Sequence, residues 1–103
     1  MIIDIVTNNY DEYVTNNKEL VILEFGATNC APCKILNSVL EEMEIENKSI
    51  TIGKVNIEDS PDIAIKFGIM SVPSMVILKD NKVIEKISGL KDKDFIEKLI
   101  HNI

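Results

Sequence analysis

The chain has 103 residues, 46 % of them hydrophobic and 27 % charged, which suits one globular domain and is too little for two. Its formal net charge is −6 and it has no arginine, a balance that argues against nucleic acid as a partner, because phosphate binding needs clustered cations. No apolar run approaches the ~18 residues of a membrane span, and the N-terminus has no basic segment leading into an apolar one. A cytoplasmic protein without a membrane partner is expected.

Residues 2–6 read as a short apolar strand with Asp4 inside it. Thr7 is placed to cap a helix over residues 8–16. Residues 20–25 (Leu20-Val21-Ile22-Leu23-Glu24-Phe25) are almost continuously apolar, as in a central strand covered on both faces. A long helix follows Cys33, with Leu36, Val39, Leu40 and Met43 spaced as one stripe. Residues 50–56 form a third strand. Ser60 and Pro61 start a short helix that Gly68 ends. Residues 75–78 and 83–88 make a hairpin through Asp80-Asn81, and Gly89 breaks its second strand. A last helix sets Phe95, Ile96, Leu99 and Ile100 on one face and His101 in its final turn. The order βαβαβαββα predicts an α/β fold with a mostly parallel sheet and an antiparallel closing hairpin.

Cys30 and Cys33 are the only cysteines, and they sit where the central strand turns into the long helix. Two thiols at that spacing can cycle between dithiol and disulfide. As a staple the bridge would be poor: loop-closure entropy gives roughly 2 kcal/mol for a loop of about four residues against ~4.7 for about 100. Zinc takes four ligands in a structural site, and two cysteines with the distant His101 do not supply them, so no metal is expected. The bland alternative is a buried packing pair. Glu24 also stands out, since a charge inside an apolar strand is costly unless paired or protonated.

With Cys30-Ala31-Pro32-Cys33-Lys34 at the start of the second helix, and Val72-Pro73 about 40 residues later before a hairpin, the sequence resembles the thioredoxin family. The likeness covers essentially the whole chain and includes Phe25, Ala27, the run Lys54-Val55-Asn56-Ile57, Phe67-Gly68-Ile69, Ser74 and Gly89. It implies a central mixed sheet flanked by helices on both faces, and a protein-disulfide reductase whose redox group is the Cys30–Cys33 pair, with no bound cofactor. Cys30, at the helix N-terminus where backbone N–H groups favour a thiolate, is expected to attack a substrate disulfide, and Cys33 to resolve the mixed disulfide. Ala31 and Pro32 form the active-site turn, Pro32 stiffening it by fixing φ. Glu24 matches the family's buried acid, which takes a proton from the resolving cysteine, and Lys54 matches that acid's lysine partner. Val72-Pro73 matches a cis-proline site. Val72, Pro73 and Gly89 would line a substrate groove, with Gly26, Asn29, Ala31, Met70 and Ser71 at its rim. The implied partners are disulfide-containing proteins and a thioredoxin reductase, and the chain is expected to be a monomer.

Several positions depart from the family pattern. Asn29 and Gly26 stand where tryptophans are usual, Ala31 where glycine is, Glu24 where aspartate is, and Ser38 where a kinking proline is. Losing the flat aromatics removes sequence-tolerant contact area and points to a narrower set of targets. Three other readings remain open: a binding scaffold that keeps the fold, a specialised thiol–disulfide exchange protein with a narrow partner set, and the same chemistry run in the oxidising direction.

Overall fold

A computed structural model describes residues 1–103. Five strands form one sheet in the order β1-β3-β2-β4-β5. They are β1 (Ile2–Asp4), β2 (Leu20–Gly26), β3 (Thr51–Asn56), β4 (Ser74–Lys79) and β5 (Lys82–Ser88). β3 runs parallel to both β1 and β2, while β4 is antiparallel to β2 and β5 to β4. The expected mixed sheet is therefore present, with the apolar β2 in its centre. Three α-helices pack on it: α1 (Ala31–Glu46), α2 (Pro61–Lys66) and α3 (Lys93–His101).

Alternation along the strands makes two cores. On one face Val21, Leu23 and Phe25 pack with Ile5, Val55, Val76, Leu78, Ile63 and Phe67. On the other, Ile22, Ile52, Met75 and Ile77 pack against Leu36, Leu40 and Met43 of α1 and Ile96 of α3. The predicted stripe on α1 thus faces the sheet. α1 runs uninterrupted for 16 residues. Position 38 carries serine, which keeps its N–H, and its hydroxyl donates back to the Lys34 carbonyl at 3.3 Å.

The structure corrects four local expectations. Residues 8–16 are not an α-helix: a 3-10 turn over Thr7–Asn9 leads into a π-helical turn over Asp11–Thr15. The stretch is rich in Asn, Asp and Thr, poor helix formers, and is held to the core by Tyr10 and Val14. Thr7 caps nothing; Asn9 Oδ1 accepts from the Val6 N–H, and the Thr7 hydroxyl donates to Asp62 Oδ2. Ser60 occupies the cap position of α2, but its buried side chain makes no capping bond. Phe95 does not share the inner face of α3: it is 45 % exposed with Lys91 Nζ over its ring, because adjacent helical positions point about 100° apart. The turn predictions hold. Gly68 ends α2 at φ +65°, and Asp80 and Asn81 take the positive φ values of a tight hairpin.

Candidate active site

The site lies at one end of the sheet. In register, Phe25 pairs with Ser74 and Ser74 with Ser88. The next residues outward are Gly26, Pro73 and Gly89, so the cysteine turn, the proline loop and the break after β5 leave the sheet together. Val72–Pro73 is cis, as expected, and the Gly89 N–H donates to the Pro73 carbonyl at 2.8 Å. The Ser74 hydroxyl donates to the Ser71 carbonyl, and Met70 beside it is 95 % exposed.

Cys30 and Cys33 are joined as a disulfide, with their Cα atoms 5.2 Å apart. Cys30 is the N-cap of α1, and its Sγ accepts from the Cys33 N–H at 3.3 Å. Here a sulfur does what a Ser or Asp cap ordinarily does, and that geometry favours a thiolate. The two sulfurs differ in access: Cys30 is partly exposed, whereas Cys33 is 3 % exposed. Asn29 turns the chain into the helix at φ +61°, a conformation Asn accepts more readily than most residues. The turn before it is tied down from below. The Thr28 N–H donates to Glu58 Oε1 at 2.8 Å, a bond that holds the Glu58 carboxyl below its usual range.

Behind the disulfide a cavity of about 320 Å³ takes in Glu24, Gly26, Asn29, Cys33, Asn37 and Lys54. Glu24 is 2 % exposed, and its Oε2 has no hydrogen-bond partner. Burial pushes its carboxyl up to about 7, against a smaller downward pull from the Lys54 charge. Glu24 and Lys54 are register partners on β2 and β3, yet no ion pair forms between them. Gly26 is buried and lines this cavity. A Cβ there would sit 2.9 Å from Glu24 Oε2 and 3.5 Å from Cys33 Sγ, so glycine lets acid and sulfur approach.

Thus the structure brings together Glu24, Gly26, Asn29, Cys33 and Lys54, and places Val72, Pro73 and Gly89 outside that cavity at the same sheet end. Ala31 and Pro32 are exposed in the first turn of α1. Asn37 was missed from sequence. Its signal was helical spacing, four residues beyond Cys33, which turns it to the same side. No group of His, Cys, Asp and Glu side chains is arranged to hold a metal ion, and no helix is long and apolar enough to cross a membrane.

A sequence model of the thioredoxin family matches residues 1–102. The thioredoxin of Chlamydia caviae is 42 % identical over 93 residues, spanning 90 % of this chain and 89 % of its own. That of Chlamydia muridarum is 46 % identical over 81 residues, 79 % of each chain. The mitochondrial thioredoxin of Mus musculus is 35 % identical over 97 residues, 89 % of this chain and 58 % of the relative. With a cysteine pair capping the helix after the central strand and a cis-proline loop at the same sheet end, the chain belongs to the thioredoxin family of thiol–disulfide oxidoreductases, whose general activity is the reduction of protein disulfides.

Proposed function

We propose that residues 1–103 act as one monomeric domain that donates electrons to disulfide-containing proteins in the cytoplasm and is recharged by a thioredoxin reductase. The observation that carries the residue roles is the asymmetry of the pair: the half-open Cys30 caps α1 and the closed Cys33 lies one turn inside it. The Cys30 thiolate attacks one substrate sulfur, the substrate disulfide breaks, and the first substrate thiolate leaves and takes up a proton. Glu24, unpaired in the cavity, then accepts the Cys33 proton. The Cys33 thiolate attacks Cys30 Sγ and the second substrate thiolate leaves. Two electrons have passed to the substrate, and the Cys30–Cys33 disulfide remains. Lys54 tunes the acid by its charge, and Val72, Pro73, Gly89 and Asn29 border the substrate.

Trapping tests the roles. Cys33→Ser protein, mixed with an oxidised protein substrate, accumulates a covalent adduct on Cys30, whereas Cys30→Ser protein forms none; mass spectrometry after alkylation reads both. An adduct forming as readily on Cys33 as on Cys30 overturns the assignment.

A further inference from the structure

One polar group in the cavity has no part in the chemistry above. The Asn37 Oδ1 is buried without a hydrogen-bond partner, as is Glu24 Oε2. Both residues line the cavity that reaches Cys33, and Asn37 lies beside Leu36 on a helix whose inner face is otherwise apolar. A buried amide oxygen left unbonded bears the full cost of losing its water. Folded proteins avoid that cost with ordered water, which occupies polar sites offering two to four partners. The cavity, about 320 Å³, has room for it, since a water's share of liquid volume is ~30 Å³.

We propose that Asn37 is a positioning residue for substrate release: its carboxamide and the Glu24 carboxyl together anchor a water that carries the Cys33 proton to Glu24. The Cys33 S–H bond breaks toward the water as that water passes one of its own protons to Glu24 Oε2. No electrons are exchanged in this transfer, and the thiolate it leaves attacks Cys30 Sγ. Either end of the carboxamide serves, since oxygen accepts from the water and nitrogen donates to it. The ionisable groups facing the cavity are Asp4 from β1, Glu24 from β2, Cys33 and Lys34 from α1, and Lys54 from β3. The inference rests on Glu24 being the acceptor, as read above.

Reduced protein mixed with an aromatic disulfide releases two coloured thiolates in sequence, the first on Cys30 attack and the second on Cys33 resolution. In Asn37→Leu, close in size but apolar, the second release slows roughly fivefold, the size of one lost hydrogen bond, and the first keeps its rate. The pH midpoint of the second release moves upward, because a drier carboxyl holds its proton more tightly. Asn37→Ser keeps a polar anchor and recovers most of the rate. Glu24→Gln slows the second release as well, and adding Asn37→Leu to it slows it no further. A normal second release and midpoint in Asn37→Leu, or equal slowing in the Leu and Ser variants, overturns the proposal. If Glu24→Gln slows release and Asn37→Leu does not, Asn37 alone falls. If Glu24→Gln leaves release intact, the Glu24 reading falls and this one with it.

Discussion

Val21, Leu23 and Phe25 point to one face of the central strand, while Ile22, Glu24 and Gly26 point to the other. The first face is apolar along its whole length and closed by Ile5, Val55, Val76 and Phe67. The second begins the same way, with Ile22 between Ile52 and Ile77. One register step on, it turns ionisable: Asp4, Lys54 and Glu24 lie in a row across β1, β3 and β2. Burial that stabilises the fold on the first face and at the start of the second becomes a cost where the carboxyl replaces a hydrocarbon. The sheet end that carries the chemistry is thus the place where this strand gives up stability.

The pH dependence of folding breaks that comparison most directly if it is wrong. The Glu24 carboxyl sits at about 7 in the folded chain against 4.5 as a free side chain. Between those values the folded protein holds a proton that the unfolded chain has released. The Glu24 contribution to stability is therefore fullest below 4.5, falls by about 3 kcal/mol as pH rises through the window, and levels off above 7. Glu24→Leu removes this fall. Urea unfolding near pH 8 shows the variant more stable than the parent, and near pH 4 the gain vanishes. Parallel stability curves for the two proteins would show that Glu24 bears no such burial cost.

Two glycines sharpen the contrast between faces. A Cβ on Gly53 would meet Ile5 Cγ1 at 2.6 Å and Leu23 Cδ2 at 2.8 Å, side chains locked in the apolar core. Gly53→Ala costs about 1–3 kcal/mol in denaturant unfolding and leaves the Glu24 titration where it was. Gly26→Ala meets the movable end of Glu24 instead, and the stability change stays within about 1 kcal/mol. Its mark appears in a carboxyl NMR titration, which shifts as the acid is pushed from its place. A large stability loss in Gly26→Ala with an unmoved titration would place the two glycines in equivalent cores.

Much of this was legible beforehand because local periodicity carries it. The alternation and apolar density of residues 20–25, the stripe on α1, the Asp80-Asn81 turn and Gly68 each act through neighbours in sequence. The cysteine spacing and the isolated charge of Glu24 are likewise visible in a short stretch of sequence. The segment of residues 8–16 was misread because its helix propensity is weak and tertiary anchoring by Tyr10 and Val14 decides its form. Asn37 does not stand out in the sequence because it matters through what it faces across the cavity, which chain order does not reveal.

Chain order alone determined the α/β order of elements and the residues able to do redox chemistry, because propensity, spacing and side-chain type are properties of short stretches. Only the tertiary structure decided that Glu24 is buried without an ion pair, that Gly26 leaves room between acid and sulfur, and that Asn37 shares their cavity. Those outcomes depend on desolvation and on distances between β2, β3 and α1, quantities that exist only once the strands and the helix have packed together.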